Sequence, residues 1–184
     1  MTEPTAAAPL PAPAHAALLV AAVAIVAYVF ANVEIQIEGA AGWAAGLPVT
    51  FRIDHHWALD WFWGGRPMTG YHAWVFSFMA LVFHLPFALT GRWSPRLEAR
   101  VLGSVMLFWI IEDALWFVCN PAFGWAGLKP GAPGEPGCAW WHIHWFLGVP
   151  ADYWTFTVVG GLVLWWSFRA PRPEREKRVA RGER

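Results

Sequence analysis

Long apolar stretches alternate with polar and turn-forming segments along the chain. The four longest cover residues 16–33, 72–89, 101–119 and 153–168. A helix needs about 20 mainly apolar residues to cross the hydrocarbon core of a bilayer, which is roughly 30 Å thick. The last stretch is short by that measure, so we expect the span to cover about 139–168, with a kink near 148–150. The pattern predicts an all-α integral membrane protein with four transmembrane helices in a small bundle.

The third helix has clear signals at both ends. Ser94 is a favourable N-cap residue, and Pro95 suits the first helical position because its missing N–H needs no partner there. Asn120 precedes Pro121, and the residue before a proline disfavours the helical conformation. We therefore expect this helix over about 95–119.

The composition is typical of a membrane protein. Of the 184 residues, 57% are hydrophobic and 14% are charged, whereas about 25% of the residues in a soluble domain are charged. The formal net charge is zero, which gives no reason to expect binding to nucleic acid. The expected partners are membrane lipid and a lipophilic small molecule. An oligomer or a partner subunit is a further candidate.

The basic residues predict an orientation. Ten of the 13 Lys and Arg side chains fall in two segments, three between the second and third stretches and seven in residues 169–184. Cytoplasmic loops of membrane proteins carry an excess of Lys and Arg. With four spans we therefore expect a multi-pass protein of the cell membrane with cytoplasmic N- and C-termini. Residues 1–15 and 169–184 would be flexible tails, and two structured loops would be extracytoplasmic.

Two adjacent acids lie in the middle of the third span. Burying the charge of Glu112 or Asp113 in a bilayer costs at least a few kcal/mol, so such residues face the bundle interior or a wet cavity and have a partner. His84 is at a similar depth in the second span, and we expect it to pair with one of them. The three residues are candidate catalytic acid–base groups or a proton relay. Alternatively, the pair only locks two helices together.

Aromatic residues flank these acids. Trp109 and Trp116 lie inside the same span, and Trp116 shares a helix face with each acid. With Asn120, which lies on the face of Asp113, they are candidates for the wall of a ligand pocket. The alternative is ordinary packing. Tryptophans near the ends of the spans, Trp43 among them, are expected at the membrane interface.

Histidines cluster on the predicted extracytoplasmic side. His142 and His144 stand two apart in the run WWHIHW, and His55 and His56 are adjacent in an earlier loop. Both rings of a His-x-His pair project to one side of an extended segment, whereas they diverge on an α-helix. The four residues are candidate ligands of a divalent transition metal, and imidazole suits Zn, Fe, Cu or Mn. Alternatively, the rings pack at the interface beside neighbouring tryptophans.

Two further features leave alternatives open. On a continued first helix Glu34 and Glu38 share a face, whereas in an extended chain Gln36 joins them. Cys119 and Cys138 both fall on the predicted extracytoplasmic side. They either form a disulfide that closes the third loop or remain buried thiols.

Three functions fit these features. The first is a metal-dependent membrane enzyme that acts on a lipid-soluble substrate in the outer half of the bilayer, with Glu112 or Asp113 as acid–base group or ligand. The second is a non-enzymatic carrier, proton-coupled or lipophile-binding protein that uses Glu112, Asp113 and His84. The third is a structural or assembly subunit of a membrane complex. Motifs for a phosphate-binding loop, a dinucleotide or a serine nucleophile are absent from the sequence.

Overall fold

The structure, a computed structural model, describes residues 11–62, 65–132 and 135–169, without the side chains of residues 60–62. Most of both predicted tails, residues 1–10 and 170–184, lies outside the described residues. The described chain is mainly helical, with α1 at Ala12–Glu38, α2 at Trp57–Phe62, α3 at Gly70–Thr90, α4 at Pro95–Cys119 and α5 at Ala151–Phe168. A 3₁₀ turn occupies Trp125–Gly127.

The strands are short and lie outside the long helices. Strand β1 (Arg52–Ile53) pairs antiparallel with β2 (Met68–Thr69), and β3 (Trp145–Phe146) pairs antiparallel with β4 (Val149–Pro150). Helices α1, α3 and α4 are long and apolar enough to cross a membrane. Large apolar side chains such as Leu18, Leu81 and Leu102 are exposed on them, which suits contact with lipid. The prediction of an all-α protein with membrane-type helices is confirmed.

Helix α1 is longer than the apolar stretch that predicts it. Its buried residues, Val23, Ala27, Ala31 and Ile35, recur every four positions on one face. The helix continues to Glu38 and ends at Gly39, whose φ of 61° favours glycine. Glu34 and Glu38 are therefore one helical turn apart, and the extended alternative is wrong.

Helix α4 is the centre of the bundle and packs against α1, α3 and α5. It begins and ends where its cap signals predict. Ser94 Oγ accepts a hydrogen bond from Leu97 N–H at 3.2 Å, and Asn120 is the C-cap. Its buried face includes Ser104, Phe108, Glu112 and Trp116, spaced by four residues. Because neighbours surround this helix, adjacent acids on it can both face inward.

The last helix is shorter than predicted, since the described chain is not helical over residues 139–150. Leu147 and Gly148 have φ of 51° and 75° and form the turn between β3 and β4, and Pro150 is the N-cap of α5. A left-handed turn followed by a proline excludes a continuous helix there. The expected kink is instead a hairpin.

The long loops fold over one end of the helices. We call the described parts of residues 39–69 and 120–150 the loop cap. Trp43 and Trp141 of the loop cap are buried against Ile35 of α1 and Trp116 of α4. Trp43, which we expected to be an interface residue, is thus part of the core at this end of the helices.

Helices α4 and α5 approach closely at two glycines. A Cβ atom at Gly103 would lie 2.6 Å from Leu164 Cγ and 3.1 Å from Gly160 O, and one at Gly160 would lie 3.1 Å from Met106 Cβ. Small residues allow helices to pack backbone to backbone in this way. This contact fixes α5 beside α4.

We predict that Gly103→Leu destabilises the protein, whereas the same change at Gly161, where a Cβ atom would meet nothing within 4 Å, does not. Overpacking costs about 1–3 kcal/mol, and at this chain length each kcal/mol lowers the melting temperature by roughly 2–4 °C. Thermal unfolding of both variants in one detergent measures the difference. Equal melting temperatures would contradict the close approach of α4 and α5.

Candidate functional site

A cavity lies between the loop cap and the adjoining ends of the long helices. Its empty space, which includes open solvent at its mouth, is about 690 Å³. Aromatic side chains form much of the wall, with Trp43, Trp109 and Trp116 among them. Charged groups line the rest: Glu34, Glu38, Arg66, Glu112, Asp113 and Asp152. The site therefore combines apolar walls with five carboxyl groups and one guanidinium.

Arg66 is the centre of a buried polar network. Its residue is only 7% exposed, although it lies in a loop. The guanidinium forms an ion pair with Asp152 and lies 3.8 Å from Asp113 Oδ1. Its Nη2 donates to His142 Nδ1 at 2.8 Å. Buried charges need paired partners of this kind.

The hydrogen bonds of His142 fix its tautomer. A guanidinium only donates, so Nδ1 accepts from Arg66, and the proton of a neutral imidazole is on Nε2. Nε2 then donates to Asp113 Oδ2 at 3.1 Å. Tyr153 O–H also donates to this carboxylate oxygen. Asp113 of α4 is thereby connected to the loop cap through His142 and to α5 through Tyr153.

Aromatic contacts hold Arg66 and His142 in place. The Arg66 guanidinium lies over the Trp43 ring, 5.0 Å from its centroid, and Trp43 Nε1–H donates to Pro67 O at 2.8 Å. Trp145 Nε1–H donates to His142 O at 2.7 Å. These contacts link both halves of the loop cap, so the position of Arg66 depends on both.

A second polar group lies on α1 and α4. Tyr71 O–H donates to Glu34 Oε1 at 2.9 Å, and the Ala44 N–H donates to Glu38 Oε1 at 2.6 Å. The carboxyl groups of Glu34 and Glu112 lie within interaction range of each other. A hydrogen bond between two carboxyls requires that one of them carries a proton. Glu112 Oε1 has no hydrogen-bond partner among the described residues.

His72 contributes a buried donor to the cavity wall. It is 2% exposed and stacks on Trp43 with the ring centroids 3.9 Å apart. Its Nδ1 accepts from Thr69 N–H at 3.4 Å, so the ring proton of the neutral form is on Nε2. Within the described part of the chain, neither His72 Nε2 nor Trp116 Nε1 has a hydrogen-bond partner.

His84 does not join the acids at this site, contrary to prediction. It contacts Glu98, with Nε2 and Oε1 3.0 Å apart, and its Nδ1 contacts Ala80 O at 2.7 Å. Helices α3 and α4 form an antiparallel hairpin, so the end of α3 lies beside the start of α4. Glu112 is about 21 Å further along α4 than Glu98, at 1.5 Å per residue.

The four predicted metal ligands do not converge. Both ring nitrogens of His142 are engaged with Arg66 and Asp113, whereas His144, His55 and His56 are exposed. In the described residues no group of three or more His, Cys, Asp or Glu side chains is arranged to hold a metal ion. A His ligand needs a free ring nitrogen, which this arrangement of His142 does not offer.

Most of the other residues predicted for the site line the cavity, whereas Asn120 stabilises the structure beside it. Trp109 and Trp116 line the cavity as predicted, and so do Glu112 and Asp113. Asn120 does not line it. Its Nδ2 donates to Gly39 O at 2.9 Å and its Oδ1 accepts from Ala122 N–H at 3.0 Å, so this side chain ties the end of α4 to the loop after α1.

Of the two alternatives for Cys119 and Cys138, the structure has free thiols and no disulfide between them. Cys138 Sγ donates to Glu135 O at 3.1 Å. Burial raises the pKa of the Cys138 thiol, and the nearby Glu135 carboxylate raises it further. This cysteine is therefore a protonated packing residue rather than a nucleophile.

Arg66 is a site residue that was not predicted from the sequence. It is one of only three basic residues on the predicted extracytoplasmic side, where acidic residues are numerous. The excess of acids over bases on that side was the available signal, because buried carboxylates need a cation as partner.

No known protein family, curated protein or solved structure matches the chain.

We predict that Arg66→Met lowers the free energy of unfolding by about 3–5 kcal/mol, the usual cost of leaving buried charges without their partner. The matched control is Arg52→Met, which removes an exposed ion pair with Asp54 and should cost under ~1 kcal/mol. Denaturant unfolding in detergent measures both. A similar loss for the two variants would contradict the buried network.

Proposed function

We propose that this protein is a membrane-embedded binding protein for a lipophilic small molecule with a polar end. The observation that carries the proposal is the cavity itself. It joins aromatic walls to buried polar groups whose hydrogen-bonding capacity is not used. Ligand sites commonly have this composition, mainly apolar with a few polar groups that fix orientation.

The unpaired groups support a ligand more than they support packing. A buried donor or acceptor without a partner costs about 1–3 kcal/mol. His72 Nε2 and Trp116 Nε1 are such donors, and Glu112 Oε1 is such an acceptor. A molecule that forms a hydrogen bond to any of these groups recovers part of this cost. If these residues only packed the helices together, three buried groups without hydrogen-bond partners would not be expected beside one cavity.

The donor geometry favours binding over the metal-dependent enzyme hypothesis. That hypothesis requires His142 as a ligand, and His142 is committed to Arg66 and Asp113. The hypothesis of an assembly subunit requires basic partners from another chain for the acids. Asp113 and Asp152 already have Arg66 within this chain, which weakens that requirement.

We further propose four crossings with both termini cytoplasmic and α5 as the fourth span. The start of α1 lies beside the end of α5, with the rings of His15 and Phe168 5.4 Å apart. The start of α4 lies there as well, because Arg96 Nη1 donates to Trp166 O at 3.3 Å. An even number of crossings brings these points to one side. Arginines are concentrated at this end, which favours the cytoplasm, and the cavity then lies in the outer half of the bilayer.

We predict the labelling pattern of two single cysteines in a background of Cys119→Ser/Cys138→Ser. Ala40 and Thr90 are both exposed. Ala40 follows the end of α1 and Thr90 is the last residue of α3, so the two lie at opposite ends of the helices. In intact expressing cells, Ala40→Cys should react with a membrane-impermeant maleimide, and Thr90→Cys should react only after lysis. Equal labelling of both in intact cells, or the reverse pattern, would contradict this topology.

We also predict one saturable site for N-phenyl-1-naphthylamine, a neutral lipophilic fluorophore, in phosphatidylcholine nanodiscs. The signal of empty discs gives the background of lipid partitioning. Ile110→Trp should remove the saturable component because Ile110 lines the cavity. Leu102→Trp is the matched control, since Leu102 is exposed at the other end of the same helix.

A second cavity variant, Phe156→Trp, is included in case Ile110→Trp does not fold. Phe156 also lines the cavity. Size-exclusion profiles show which variants remain folded. A saturable component that survives in both folded cavity variants, or none in the wild type, would overturn the proposed function.

A further inference from the structure

The carboxyl groups of the cavity fall into two classes. Asp113 and Asp152 have a cation partner, because the Arg66 guanidinium pairs with both. Glu34, Glu38 and Glu112 have none among the described residues, where their recorded partners are neutral groups and one another. One cation thus serves two of the five carboxyls.

Arg66 cannot also pair with the three glutamate carboxyls. Its guanidinium is committed to the two aspartates and to His142. The three glutamates lie on α1 and α4, where Glu34 and Glu38 are one helical turn apart and Glu34 contacts Glu112. Like charges this close, in a site shielded from water, repel strongly. The Glu34–Glu112 pair avoids that repulsion only by holding a proton.

Glu112 is the group with unused capacity at this point. It is 3% exposed, lines the cavity and, within the described chain, has no hydrogen-bond partner for Oε1. The nearby Trp43, Trp109 and Trp116 rings also line the cavity. Aromatic faces attract cations, and recognition of ammonium groups commonly uses them. Trp43 already makes this contact with Arg66.

We propose that the ligand is an organic cation, a protonated amine on an apolar or aromatic body, whose ammonium group binds the Glu34–Glu112 pair. This inference rests on the proposed function and names the class of ligand. One ammonium N–H donates to Glu112 and another to Glu34, in place of the proton held between the two carboxyls, which leaves to solvent. The net charge of the occupied pair is then the same as that of the empty pair. The organic body occupies the space between the tryptophans.

A bare metal ion fits the same groups less well. Metal ions need several oxygen or nitrogen donors converging at short distance, and in the described residues the acids are not arranged in that way. An ammonium group needs only one or two acceptors and an apolar surface around it.

The test compares 2-phenylethylamine with 2-phenylethanol, which share a skeleton and differ in the ammonium group. Each displaces N-phenyl-1-naphthylamine from the wild type in phosphatidylcholine nanodiscs. A charge-assisted hydrogen bond should make the amine effective at ~10-fold lower concentration than the alcohol. Glu112→Gln and Glu34→Gln should each bring this ratio close to one, while fluorophore binding reports that the cavity remains formed.

Glu98→Gln is the matched control, because Glu98 lies on the same helix as Glu112 and contacts His84 outside the cavity. It should keep the wild-type ratio. A ratio near one in the wild type would overturn the cation proposal while leaving the proposed function intact. A ratio retained in both glutamine variants would also overturn it. Loss of saturable fluorophore binding in the wild type would instead remove the proposed function on which this inference rests.

Discussion

The pairing of Arg66 with Asp113 and Asp152 is the interaction on which the site depends. It connects a loop to two helices, α4 and α5, and it gives a cation partner to two carboxylates that would otherwise be buried without one. Removing the cation would leave buried anions with only neutral partners, which is costly. Trp43 and His142 contact Arg66, so the closure of the loop cap and the pairing of these acids with Arg66 occur together.

The cavity follows from this arrangement. Because Asp113 and Asp152 share Arg66 within the chain, the three glutamates are left as the cavity carboxyls without a cation partner among the described residues. The helical extension of α1 past its apolar stretch places Glu34 and Glu38 at the cavity, and the central position of α4 places Glu112 opposite them. The site therefore has two groups of acids. Asp113 and Asp152 are held by Arg66, whereas the three glutamates are where the proposed ligand binds.

Local signals in the sequence predicted local features well. Ser94 and Asn120 marked both ends of α4, because capping depends on neighbouring residues. The spacing along α4 also predicted Trp109 and Trp116 beside the acids. Contacts between distant segments could not be predicted in this way. The partner of His84 depends on the register of a hairpin, and the role of Arg66 depends on how the long segment between α1 and α3, residues 39–69, folds back over the helices.

A double-mutant cycle between Arg66→Met and Asp152→Asn, measured by denaturant unfolding, tests the central claim most directly. If the loop residue and the helix residue form one buried pair, the two changes should be coupled by at least ~1 kcal/mol, within the range for residues in direct contact. Effects that add to within about 0.3–0.5 kcal/mol, as for independent sites, would contradict the claim that Arg66 holds the loop cap on the helices.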